Sequence, residues 1–153
     1  MTQLNPAVAA RIKQQWSEVE EYVQKPRHKT SHQLVGILPL AKSDAVLGQL
    51  FPFVGISGLS FSRCCDYPFY VDISFTANSS EFVVWASRGK GSWHERDEIG
   101  FGDATEAVRI ATSYLPAGYP PAILGNSKDL NDSFANDPFT ILLKERASLR
   151  CAK

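Results

Sequence analysis

The chain has 153 residues, with 16 basic and 16 acidic side chains, so its formal net charge is zero. This balance argues against a nucleic-acid partner, because phosphate binding normally depends on an excess of Lys and Arg. A hydrophobic fraction of 44% is ordinary for a globular protein, and no apolar run approaches the roughly 20 residues that cross a bilayer. We therefore expect one domain over residues 1–153, without a membrane segment or a signal-peptide core in residues 1–13, located in the cytoplasm.

The first predicted element is an amphipathic helix near residues 6–24. Asn5 is a suitable N-cap, and Pro6 suits the first helical position because the N–H that it lacks would have no partner there. Pro26 ends the pattern. Apolar residues recur with helical spacing in between, at Val8, Ile12, Trp16, Val19 and Val23.

Residues 33–51 give weaker signals. The run QLVGILPL (33–40) is typical of a short strand or a buried loop, and SDAVLGQLF (43–51) predicts a short helix capped by Ser43 or Asp44. Pro52 and Gly55 then interrupt the chain before the next apolar segment.

From GLSFSR (58–63) onward the pattern indicates strands. Residues 69–75 alternate, with Phe69, Val71, Ile73 and Phe75 on one side and Tyr70, Asp72 and Ser74 on the other, as in a half-buried strand. EFVVWAS (81–87) is apolar on both faces and predicts an interior strand. WHERDEIGF (93–101) extends the series, with Ile99 and Phe101 on one side. We expect an antiparallel meander of about four strands.

The strongest amphipathic pattern predicts a second helix over about residues 103–115. Asp103 and Glu106 form the D-x-x-E signature of a helix start. One side of this helix is apolar, with Ala104, Ala107, Val108, Ile110, Ala111, Tyr114 and Leu115. Because each helix has a single apolar face, both must pack on the sheet or on each other, which predicts an α+β fold.

The three cysteines are expected to be reduced. Cys64 and Cys65 are adjacent, a disulfide between neighbours is strained, and an odd count without CxxC is not a disulfide framework. Alternation at the end of a strand running to SFSRCC puts one thiol on each face, so one of them is expected to be buried. A Cys–His enzyme with Cys64 or Cys65 as nucleophile remains an alternative.

The run GSWHERDE (91–98) concentrates reactive side chains. His94 beside Glu95 could act as a general base oriented by a carboxylate, but strand alternation points the two residues to opposite faces. We therefore interpret the run as a surface that faces a partner, with Trp93 and Arg96 as the binding residues, because tryptophan and arginine often anchor interfaces.

No metal site or cofactor is predicted. His28 and His32 have i,i+4 spacing, but Pro26 has ended the helix and no further ligand follows at a suitable distance. Trp16, Trp85 and Trp93 are expected in the core and not as a stacking platform, since no basic residues are interleaved with them.

Four stretches carry a family resemblance over residues 45–130: AVLGQLFPF, LSFSR followed by YPF, TEAVRIATSYLPAG, and PPAILGNSKDL. In order and spacing they resemble a bacterial family of unknown function whose members are often labelled "natural product biosynthesis protein". The resemblance implies a place among biosynthetic genes and brings no catalytic residues.

These observations favour a non-enzymatic accessory protein that binds a protein partner of unknown identity or a carrier-bound intermediate. An immunity-type protein that binds a toxin is one alternative. A small enzyme that uses His94 or Cys64/Cys65 is the other. A cleft with convergent polar groups would favour the enzyme, whereas an exposed apolar patch would favour the binding protein. The sequence leaves the oligomeric state open.

Overall fold

The computed structural model describes residues 5–25, 31–55, 58–66, 71–87, 96–115, 122–126 and 129; for residues 31, 32 and 87 it describes the backbone alone. Within these ranges the helices are α1 (Pro6–Gln24), α2 (Leu38–Ser43) and α3 (Ala104–Tyr114), with 3₁₀ turns at Ser31–Leu34 and Leu47–Gln49. The strands are β1 (Phe51–Val54), β2 (Gly58–Ser62), β3 (Val71–Asn78), β4 (Glu81–Ser87) and β5 (Arg96–Gly102).

The five strands form one sheet in the order β1-β2-β3-β4-β5, and every neighbouring pair is antiparallel. The predicted α+β meander is therefore confirmed, and β4 lies inside the sheet as expected. The additional strand is β1, which contains Pro52. Because proline cannot donate a ladder hydrogen bond, it is tolerated at a sheet edge, and β1 is an edge strand.

Both long helices pack on the same face of the sheet. The rings of Trp16 on α1 and Phe61 on β2 are 5.9 Å apart, and Phe61 makes an edge-to-face contact with Phe75 on β3. At the other end of the sheet, an added Cβ at Gly100 would lie 2.8 Å from the Ile110 side chain of α3. These contacts place the main core between the helices and this face.

The two helices match their sequence patterns. Every residue of the apolar stripe predicted for α1 is buried, and the Asn5 side chain accepts a hydrogen bond from the Ala7 N–H. In α3 the Asp103 carboxylate accepts one from the Glu106 N–H, which is the predicted cap. Among the described residues, no helix combines the length and the apolar character needed to span a membrane.

Residues 33–51 differ from the prediction. The segment expected to be a strand or a buried loop is helical, first as a 3₁₀ turn and then as α2, whose first turn contains Pro39. Proline fits that turn because the missing N–H would have no helical partner. In the segment expected to be a short helix, only a 3₁₀ turn forms, and Asp44 accepts hydrogen bonds from Val46 N–H and Leu47 N–H.

The prediction that β3 is half-buried is wrong in one respect. Asp72 and Ser74 are both 2% exposed, and the register places Ser74 on the face opposite the helices. Ser60 and Ser62 of β2 are also buried on that face. The β2–β3 region is therefore buried on both sides of the sheet. Polar residues at every second position do not indicate a solvent-exposed face there.

Candidate functional site

On the sheet face opposite the helices, the part formed by β4 and β5 is exposed to solvent. Cross-strand partners share a face, so the register places Trp85 between Ser74 on β3 and Glu98 on β5. In the next row, Val83 lies between Thr76 and Phe101. We call this region the Trp85 surface, which comprises Thr76, Val83, Trp85, Arg96, Glu98 and Phe101.

The central contact of the Trp85 surface is a cation–π pair. The Cζ atom of Arg96 lies 4.3 Å from the centre of the Trp85 ring. The indole Nε1–H of Trp85 donates to the Thr76 hydroxyl oxygen at 2.9 Å, and Arg96 Nη1 donates to the Ser74 hydroxyl oxygen at 3.4 Å. Both the ring and the guanidinium are therefore hydrogen-bonded to side chains of β3.

A solvent-exposed apolar residue lies beside this pair on the same face of the sheet. Phe101 is 64% exposed, although it directly faces Val83 across the strands. Isolated exposed apolar residues are common on proteins, but here Phe101 shares a face with a half-buried tryptophan and a stacked arginine. Aromatic residues and arginine are enriched at the centres of protein interfaces.

A bulge in β5 sets the geometry of the surface. Val84 pairs with Gly100 and Trp85 pairs with Glu98, so Ile99 is an additional residue in β5. Such an insertion re-aims the side chains that follow it in a strand. It keeps both Phe101 and Glu98 on the face opposite the helices, although three positions separate them.

The electrostatics of Arg96 follow from its position against the ring. Partial burial lowers the pKa of the Arg96 guanidinium below its ordinary value. Arginine nevertheless stays charged at neutral pH in proteins. The surface thus presents a partly desolvated cation. An oppositely charged or polar group of a partner would stabilise this cation more than it would stabilise a fully hydrated side chain.

The structure describes only part of the run GSWHERDE. Trp93, His94 and Glu95 lie outside the described residues, so the proposed His94–Glu95 pair stays a prediction, as does the binding role of Trp93. Arg96 begins β5, where Asp97 faces Ala86 and Glu98 faces Trp85. Alternation within this strand therefore places Asp97 and Glu98 on opposite faces of the sheet.

The position of Trp85 also differs from the prediction. It was expected in the core without a basic neighbour, yet it is half-buried on the face opposite the helices and Arg96 stacks on it. Trp16 does lie in the core, with 1% of its surface exposed. The contact follows from the pairing of EFVVWAS (81–87) with RDEIGFG (96–102). The bulge shifts the register of that pairing, and the sequence does not indicate the bulge.

Cys64 and Cys65 are free thiols, and both are buried. The prediction of one thiol per strand face is wrong because β2 ends at Ser62, before the cysteines. Cys64 forms a parallel bridge with Ile123, and Gly125 N–H donates to the Cys65 sulfur at 3.3 Å. The pair therefore joins the end of β2 to residues 122–126.

Within the described ranges, no group of three or more His, Cys, Asp or Glu residues is arranged to hold a metal ion. The side chains of His28, His32 and His94 lie outside those ranges, so the structure tests neither the His28/His32 pair nor a Cys–His pair.

Comparison with known proteins gives one family. Residues 10–126 match the model of a family of unknown function, DUF6193. No curated protein and no solved structure matches the chain significantly. The match spans all five strands, all three α-helices except the start of α1, and the whole Trp85 surface. The chain belongs to the DUF6193 family of unknown function.

Proposed function

We propose that the protein is a non-catalytic binding protein that recognises a protein partner, or an intermediate carried by that partner, through the Trp85 surface. The partner would belong to a bacterial natural-product gene cluster, in line with the label of the relatives that the sequence resembles. The proposal extends to Trp93 in the run GSWHERDE, three residues before Arg96.

The cation–π pair is the observation that carries this proposal. Trp85 and Arg96 are of the residue types that dominate binding energy at interfaces, and both are already oriented by hydrogen bonds to β3. Preorganised side chains lose little conformational freedom when a partner covers them. The exposed ring of Phe101 would add apolar area beside them.

Burial of the thiols supports a binding function over a cysteine enzyme. Cys64 is 0% exposed and Cys65 is 8% exposed, whereas a nucleophile must meet its substrate. Cys65 is also engaged with the Gly125 backbone through its sulfur. These contacts suit a structural role for both residues.

The experiment is affinity capture with matched variants. Tagged wild type, Trp85→Ala and Leu40→Ala would be incubated with native lysate, and captured proteins and small molecules would be identified by mass spectrometry. Leu40 is 38% exposed on α2 and lies outside the Trp85 surface, so it controls for loss of an exposed apolar side chain. A specific partner should be retained by wild type and Leu40→Ala and lost from Trp85→Ala.

The identity of the captured partner refines the proposal. A biosynthetic enzyme or carrier protein would agree with the accessory role, whereas a toxin would indicate the immunity-type role. Equal capture by all three proteins would contradict the assignment of the Trp85 surface.

A further inference from the structure

The Trp85 surface holds two aromatic rings that differ in their surroundings. In one row of cross-strand pairs, Trp85 has the Arg96 guanidinium 4.3 Å from its centre. In the next row, Phe101 is 64% exposed, and within the described ranges no cation lies over its ring. One face of the sheet therefore has an aromatic ring that is already covered by a cation and another that is not.

Two acidic residues flank the exposed ring. Glu98 lies in the row on one side of the pair formed by Phe101 and Val83. On the other side, Glu81 precedes Val83 by two positions of β4, so it is on the same face. Both glutamates are exposed. Neighbouring rows are roughly 7 Å apart, so both carboxylates are within reach of a side chain that lies on the ring.

These carboxylates have no counter-ion in the part of the chain that the structure describes. Neither Glu81 nor Glu98 forms an ion pair or accepts a side-chain hydrogen bond there. The negative face of an aromatic ring attracts a cation, and two nearby carboxylates act in the same direction. The surroundings of Phe101 therefore suit a cationic group.

The arrangement favours arginine over lysine as the source of that cation. A planar guanidinium stacks on an aromatic ring, and its N–H groups can donate to carboxylates beside the ring at the same time. An ammonium is compact and strongly hydrated, so contact with a ring suits it less. Arg96 shows this geometry on the same face, because it stacks on Trp85 while Nη1 donates to Ser74.

We propose that Phe101 binds an arginine side chain of the partner protein, with the guanidinium on the ring and the carboxylates of Glu81 and Glu98 as its counter-ions. This inference rests on the proposed function, because it names the chemistry by which a partner engages the Trp85 surface. The partner then presents an arginine beside the groups that cover Trp85.

The test titrates short peptides into the full-length protein while amide chemical shifts are followed by NMR. The probes are the N-acetylated, C-amidated tripeptide Gly-Arg-Gly and its analogues with lysine, citrulline or glutamate in the centre. Citrulline is the matched control because it keeps the planar shape of arginine without the charge. The arginine peptide should shift Phe101 and Val83, with a dissociation constant in roughly the millimolar range expected for so small a ligand. The other three peptides should bind more weakly.

Variants separate the ring from the charges. Phe101→Leu keeps an apolar side chain without an aromatic face and should weaken the arginine peptide about twofold to fivefold. Glu81→Gln combined with Glu98→Gln should weaken it about threefold, as for exposed ion pairs. Glu21→Gln removes the same charge from α1 and should leave binding unchanged. Absence of shifts at Phe101, equal binding of the citrulline peptide, or unaltered binding to Phe101→Leu would overturn the proposal.

Capture of the partner distinguishes this inference from the proposed function. If Trp85→Ala loses the partner while Phe101→Leu and the double variant Glu81→Lys with Glu98→Lys retain it, the Trp85 surface binds the partner without the arginine contact. Equal capture by wild type and Trp85→Ala would instead contradict the proposed function. The peptide titration tests the Phe101 site in either case, because it requires no partner.

Discussion

The hydroxyl of Thr112, on α3, donates a hydrogen bond to the Asp44 carboxylate at 3.0 Å, across 68 positions of sequence. The other carboxylate oxygen of Asp44 accepts from the backbone N–H groups of Val46 and Leu47, at 3.0 and 2.9 Å. One side chain therefore shapes the turn that leads into β1 and joins that turn to α3.

Replacing Asp44 tests this link. Asp44→Ala removes the acceptor for three donors and should lower the free energy of unfolding by about 1–3 kcal/mol. Thr112→Val removes only the contact with α3 and should cost less, about 1 kcal/mol. Urea denaturation followed by circular dichroism measures both. Equal losses for the two variants would mean that the turn hydrogen bonds contribute nothing.

Gly100 allows α3 to approach β5 closely. A Cβ there would lie 2.8 Å from Cδ1 and 3.1 Å from Cγ2 of Ile110, so Gly100→Ala should lower the free energy of unfolding by about 1–3 kcal/mol. Combining it with Ile110→Val, which removes Cδ1, should cost less than the two single losses added together.

Gly36→Ala is the matched control for Gly100→Ala, because no atom lies within 4 Å of the added carbon there. Its free energy of unfolding should stay close to that of wild type. Strict additivity of Gly100→Ala and Ile110→Val would show that the predicted clash does not occur.

Replacing Cys64 tests whether its thiol is buried. Cys64→Ser places a hydroxyl at a fully buried site and should lower the free energy of unfolding by about 1–3 kcal/mol, more than Cys64→Ala does. In the native protein, thiol titration should find at most one fast-reacting group among the three cysteines, and all three after denaturation. Fast reaction of Cys64 in the native state would contradict its burial.

The two long helices, α1 and α3, could be predicted from sequence because their signals are local. The spacing of Val8, Ile12 and Trp16, and the cap signature of Asp103 with Glu106, depend on neighbours within one or two turns. Both predicted ranges agree with α1 and α3 to within one residue.

The remaining features depend on residues that are distant in sequence. Pro52 was interpreted as a break because the sequence does not say that its strand lies at an edge. Asp72 and Ser74 were expected to be exposed because alternation does not report that both faces of β3 are covered. The Arg96–Trp85 contact required the β4–β5 register, which a bulge shifts.

Trp93 and His94 lie outside the described residues, and their roles remain predictions from residue type and from their proximity to Arg96 in sequence. Trp93→Ala should weaken partner binding by about 2 kcal/mol or more, while His94→Ala should change it little. Calorimetric titration with the captured partner measures both, and circular dichroism controls for the fold. Loss of function in His94→Ala, with binding and folding intact, would instead indicate an active site.

The most direct test of the Trp85 surface is calorimetric titration of the purified captured partner into wild type, Trp85→Ala, Arg96→Ala and Leu40→Ala. We expect the first two variants to raise the dissociation constant about 30-fold or more, which corresponds to about 2 kcal/mol. Leu40→Ala should bind within about twofold of wild type. Wild-type affinity in Trp85→Ala and Arg96→Ala would contradict the proposal that this surface binds the partner.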